Sequence, residues 1–134
     1  MATGLYDKGR EGILDHSIDM SATVKGVLVD TGTYTPNLAT DTFLSDIPVG
    51  ARISTSSALT TKTYTAGVFN SDPASFAAVS GASVEALVMF IDTGNPATSR
   101  LVAYIDNAIG FPFTPSGGDA QVVPSTGANK WFKL

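Results

Sequence analysis

Cysteine is absent from all 134 positions, so neither a disulfide framework nor a cysteine zinc site is available and stability has to come from packing. Histidine and tryptophan each occur once, as His16 and Trp131. Lysine and arginine total eight against twelve aspartates and glutamates, a formal charge of −4. The few cations form no run able to displace counterions from phosphates, which argues against general binding to nucleic acid and leaves one local basic contact open. No stretch reaches the ~20 apolar residues of a membrane helix; the longest runs from Ala86 to Ile91. Residues 1–12 lack the basic start and apolar run of a signal peptide, and the expectation is synthesis and assembly in the cytoplasm.

What is present is the composition of a small β protein, with a hydrophobic fraction of 43% in which Ala and Val are prominent. The length fits one domain that buries ~65 to 70% of the surface exposed by its unfolded chain. The chain is organised around residues 83–106. Two arms rich in β-branched, aliphatic and aromatic residues, Ser83 to Asp92 and Arg100 to Asp106, flank the turn-forming Thr93-Gly94-Asn95-Pro96, which predicts a central antiparallel hairpin. Each arm closes on Ile-Asp, placing a carboxylate where turn N–H groups need an acceptor.

Around it, residues 1–19 read as an N-terminal arm or short helix and residues 20–134 as a β-domain. Tyr6, Arg10, Ile13 and Leu14 could share one helix side, while Gly9 and Gly12 each weaken that helix by ~1 kcal/mol. Met20 to Asp30 predicts the first core strand. A single helical turn is expected near residues 40–46, capped by Thr40 or Asp41 and stopped by Pro48. Strands are expected near Ala51 to Leu59 and near Lys62 to Phe69, the latter interrupted at Ala66-Gly67, and over Ala74 to Ser80 with both faces buried. Asn107 to Asp119 reads as a long loop tucking in Phe111 and Phe113, followed by a short edge strand ending at Pro124. Trp131 and Phe132, so near the end, imply that this end is docked. The expected fold is all-β, a single-domain antiparallel sandwich or barrel-like architecture.

Candidate chemistry is sparse. His16 has Asp15, Ser17 and Asp19 beside it, but no nucleophile elbow accompanies them, and a loop histidine is the simpler reading. Asp92, Asp106, Asp30 and Asp119 could be imagined around calcium; none lies in an alternating acidic loop, and hydrogen bonding in turns is the default. Glu85 sits in an apolar strand, facing solvent or paired with a neighbour such as Arg100. The pair Gly117-Gly118, like Gly4, Gly9 and Gly12, fits no phosphate-binding fingerprint. Tyr6, Tyr34, Tyr64, Tyr104 and Trp131 could form a sugar-stacking face, though their spread favours ordinary packing. No enzyme signature is found, and no cofactor or metal is expected.

Short motifs run through the whole chain: Tyr6-Asp7-Lys8-Gly9-Arg10-Glu11, Val27-Leu28-Val29-Asp30-Thr31, Asn37-Leu38-Ala39-Thr40, Phe43 to Pro48, Glu85-Ala86-Leu87-Val88, Asp92-Thr93-Gly94, Ser99-Arg100-Leu101, and Gly127 to Leu134. In these the sequence resembles a family of small tailed-bacteriophage virion structural proteins; Gln121 to Thr126 fits that pattern less well. The resemblance implies a head decoration or cement protein that binds the major capsid protein on the outer head surface, with a tail or head-tail connector subunit as the alternative. A carbohydrate-binding module is more distant. The expected partners are the major capsid protein and further copies of the chain, as a homodimer or homotrimer, with no nucleic acid and no membrane. Leu5, Tyr6, Lys8 and Arg10 are the expected capsid contacts, and Trp131 and Phe132 pack against the domain or a sister copy.

Overall fold

A computed structural model describes residues 3–134. In chain order the elements are β1 (Gly4–Leu5), α1 (Asp7–Leu14), β2 (Val24–Val29), β3 (Arg52–Thr55), β4 (Val68–Phe69), β5 (Ala74–Phe76), β6 (Ala86–Ile91), β7 (Leu101–Ile105), β8 (Ala120–Val122) and β9 (Phe132–Lys133), with short 3-10 turns at Leu44–Asp46, Val49–Ala51 and Thr65–Gly67. The chain is β-rich with one α-helix. Five strands form an antiparallel sheet in the order β1-β7-β6-β2-β3, and β4-β9 and β5-β8 form two separate ribbons. Among the described residues no sheet closes into a barrel.

The central hairpin is where the apolar arms place it. β6 pairs with β7 from Leu87 opposite Ile105 to Phe90 opposite Leu101, and along its whole length with β2, from Val29 opposite Ala86 to Val24 opposite Ile91. Both faces of this sheet are covered, which is why these strands are continuous apolar runs. On one face Leu28, Leu87, Met89 and Ile105 pack with Phe69, Phe76, Val122 and Phe132 of the ribbons. On the other, Val27, Val88, Phe90 and Tyr104 meet Tyr6, Tyr34, Leu44 and Ile47.

Several expectations are corrected. Of the two readings of residues 1–19, arm or short helix, the helix forms: β1 adds to the sheet beside β7, and α1 packs against it. The helix does not use Tyr6, Arg10, Ile13 and Leu14 as one buried side, since Arg10 and Leu14 are exposed and its buried residues are Gly9 and Gly12. A Cβ on Gly9 would stand 2.8 Å from the Val102 carbonyl oxygen and 2.9 Å from that of Leu101. Gly9, which weakens an isolated helix, is the surface that lets this one touch the sheet backbone, and Gly12 makes room for the Ile18 and Arg100 side chains. Gly9→Ala is therefore expected to destabilise the fold by about 1–3 kcal/mol, the range for overpacking, despite alanine's better helix propensity; a chemical denaturation series checks it, and an unchanged midpoint would refute the contact.

The turn near 40–46 forms at Leu44–Asp46, capped not by Thr40 or Asp41 but from within. The Asp46 carboxylate accepts the N–H groups of Thr42 and Phe43 at 2.8 and 3.0 Å. The expected interruption at Ala66-Gly67 is a 3-10 turn in which Ala66 takes a left-handed φ of 56°; of the Lys62 to Phe69 strand only Val68–Phe69 forms, and the residues before the turn make one isolated bridge, Thr63 opposite Asn70. β5 is shorter than Ala74 to Ser80 and buries one face only: Ala74 and Phe76 are inside and Ser75 outside.

Candidate functional site

The sequence-predicted contact residues divide sharply by burial. Leu5, Tyr6, Trp131 and Phe132 retain 4%, 0%, 1% and 6% of their exposure, so the Leu5 and Tyr6 side chains are core components and are corrected as direct capsid contacts. Trp131 and Phe132 pack within the chain itself: the Trp131 indole N–H donates to Ser71 Oγ at 2.8 Å, and the Phe132 ring stacks on Phe69 at 5.3 Å. Arg10 is exposed and Lys8 half-buried; they pair within the helix, Lys8 with Glu11 at 3.0 Å and Arg10 with Asp7 at 3.2 Å.

The two ends of the chain nevertheless meet. Leu5, Arg10, Trp131 and Phe132 border one open groove of about 440 Å³ between β1 and β9. Lys130 and Lys133 border it too, and no aspartate or glutamate does. Among the described residues neither lysine has a carboxylate partner within ion-pair distance. Lys130 is presented from a loop with a left-handed φ of 48°. The terminal Lys130-Trp131-Phe132-Lys133 alternation is the signal that could have indicated this groove: Trp131 and Phe132 anchor the segment while the lysines on either side remain outside.

Elsewhere the candidate chemistry disperses into structure. His16 is exposed with φ 68° just beyond the helix, and its neighbours are engaged in turns: Asp15 accepts the Ser17 N–H and Asp19 that of Ser21, each at 2.9 Å. Those bonds, led by the serine hydroxyls, hold both carboxyls below their ordinary range. Asp30-Thr31-Gly32 and Asp92-Thr93-Gly94 make twin turns, glycine N–H to Asp Oδ1 at 2.9 and 3.0 Å, but at opposite ends of the β2–β6 pair. Asp92 also pairs with Lys25 at 2.7 Å, and this bond, followed by the Gly94 N–H, lowers its pKa. Asp106 accepts the Thr3 hydroxyl at 2.7 Å and Asp119 the Ala78 N–H at 2.9 Å. Among the described residues no three acidic, His or Cys side chains converge to hold a metal.

Glu85 pairs not with Arg100 but with Thr31, accepting its N–H and hydroxyl at 3.0 Å. Arg100 instead ties α1 to the sheet, donating to the Lys8 carbonyl at 2.7 Å and to Ser17 Oγ at 3.0 Å. Tyr6, Tyr34, Tyr104 and Trp131 are all buried, leaving Tyr64 alone among the proposed sugar-stacking aromatics exposed. Gly117 and Gly118 pair with Val79 in a backbone turn.

Sequence reading also missed a buried phenol chain. The Tyr6 and Tyr34 hydroxyls lie 2.8 Å apart and Tyr34 donates to Asp41 Oδ2 at 2.7 Å, which fastens the loop after β2 to the core. Burial, foremost, holds both phenols neutral far above their ordinary range, and burial with the nearby Asp106 and Glu85 carboxylates pushes Tyr104 up to about 12. Folded pKa values raised above the unfolded ~10 mean that stability is intact below pH ~10 and falls as pH rises beyond it, by ~1.4 kcal/mol per pH unit for each proton retained. Alkaline denaturation midpoints should decline steeply above pH ~10, and less steeply in Tyr34→Phe; a flat profile to pH 12 would contradict it.

Among the described residues no helix is long and apolar enough to cross a membrane. Compared with known proteins, no family model matches the chain and no curated protein matches it.

Proposed function

We propose that this protein is a structural component of a tailed-phage virion, a decoration or cement protein bound to the outer surface of the head and bridging capsomers, assembled on the particle in the host cytoplasm. The reading is carried by one convergence. The N-terminal and C-terminal motifs of the phage resemblance, at opposite ends of the sequence, border the same groove, with Arg10 on one side and Lys130 and Lys133 on the other. A β-rich, acidic, cysteine-free domain whose polar side chains are spent on turns suits a protein whose product is contact area. In this reading the two ribbons together act as the discontinuous second layer of a sandwich. The chain would work as a homodimer or homotrimer at a capsid symmetry axis, where many weak contacts repeated over a shell add to a strong clamp.

A reconstruction of the virion tests the proposal. Hundreds of copies on the head lattice are expected. Six copies, or a small multiple, at the head-tail junction would replace it with the connector reading, and a bare head would overturn it.

A further inference from the structure

We propose that the groove between β1 and β9 holds an extended, acidic polypeptide segment of the shell protein, paired through its backbone; this rests on the decoration reading and names the partner's chemistry. Charge is the first argument. In a chain of net charge −4, Lys130 and Lys133 stand without a carboxylate partner among the described residues at one groove whose border carries no carboxylate side chain, and Arg10, paired with Asp7, stands across from them.

The second argument is the backbone. Among the described residues β1 has one strand neighbour, β7, and β9 has one, β4; just past β1 the Asp7 N–H donates to the Leu38 carbonyl at 2.7 Å, which leaves the edge open at Leu5. The Tyr6 N–H donates to the Val102 carbonyl at 3.0 Å, and Gly4 and Leu5 lie opposite Tyr104 and Ala103. Antiparallel pairing alternates, so Leu5 directs its N–H and C=O away from β7; Arg10 already donates to that C=O at 3.3 Å. By the same alternation Lys133, beside Leu134 whose N–H donates to the Gly67 carbonyl at 2.9 Å, turns its backbone groups away from β4. An extended segment can therefore pair with an open edge while its carboxylates meet Lys130 and Lys133, the strand-addition mode of peptide recognition. A nucleic acid satisfies the cations but not the strand edges.

The test uses the full-length, isotope-labelled chain and a capped six-residue peptide of alternating glutamate and valine. Saturable shifts at the amides of Leu5 and residues 130–133, weakening as salt is raised, are expected. The double variant Lys130→Glu/Lys133→Glu should bind about tenfold or more weakly while keeping the wild-type melting temperature. No shift at these amides, equal binding of a lysine-valine peptide, or tighter binding of a thymidine dodecamer would overturn the proposal. The two proposals fail separately. If the double variant decorates heads as well as the wild type does, the groove assignment falls and the decoration reading stands. If the peptide binds but the chain is absent from heads, the groove's preference for acidic strands is upheld and the decoration reading falls.

Discussion

A chain lacking residues 1–12 is expected to lose most of its stability rather than merely a docking arm. Deletion removes Leu5 and Tyr6, 4% and 0% exposed, each contributing about 1.5–3 kcal/mol by burial. It also removes the Tyr6–Tyr34 hydroxyl contact of 2.8 Å, a bond worth ~1 kcal/mol net. The sum, about 4–7 kcal/mol, is comparable with the ~5–15 kcal/mol net stability of a whole domain. The deletion further strips β7 of its outer neighbour and exposes its edge to association. Thermal unfolding followed by circular dichroism is expected to show a much lower or broadened transition; a full-length-like midpoint would mean that this segment is dispensable. One practical consequence concerns the shell. Loss of head binding by such a truncation would report unfolding, so docking is better probed at exposed charges.

Trp131→Ala is expected to cost about 3–5 kcal/mol, the range for emptying an aromatic core site. Trp131 is 1% exposed, its indole N–H is satisfied by Ser71, and its backbone N–H reaches the Phe69 carbonyl at 3.2 Å. It thus clamps the C-terminal segment onto the ribbon that covers the sheet. Trp131→Phe retains most of the buried area and should cost less than half as much. Urea denaturation followed by circular dichroism reads both, since the variants lack the fluorophore. A loss below about 1 kcal/mol in Trp131→Ala, the level of an ordinary surface change, would show that the C-terminal end is not held by this residue.

The parts of the fold legible in sequence were those set by local pattern. The hairpin of β6 and β7 follows from two apolar arms around Gly94, Asn95 and Pro96, and β2 from the run ending at Asp30. The docked end was legible because Trp131 and Phe132 are too apolar to leave in water. Of the strand expected over Lys62 to Phe69 only Val68–Phe69 forms, because β propensity describes a fit to a half-buried pleated surface, and before the turn at Ala66 only the single bridge from Thr63 to Asn70 offers one. Glycine was misread in α1 for a related reason. Propensity scales describe an isolated helix, whereas a side chain at Gly9 would collide with the sheet backbone and one at Gly12 with the Ile18 and Arg100 side chains. The candidate site was half legible: Arg10 and the terminal aromatic pair were identified, but Lys130 and Lys133 were not joined to them.

Sequence alone determined that this is a cysteine-free, acidic, β-rich chain built on one central hairpin, because composition and periodicity report each segment's own preferences. Tertiary structure decided which residues remain for function. Burial of Leu5, Tyr6, Trp131 and Phe132, and the meeting of the N-terminal and C-terminal segments at one cationic groove, depend on contacts between segments far apart in the chain, Tyr6 with Tyr34 and Trp131 with Ser71 among them, and no local pattern encodes which distant segment will lie alongside.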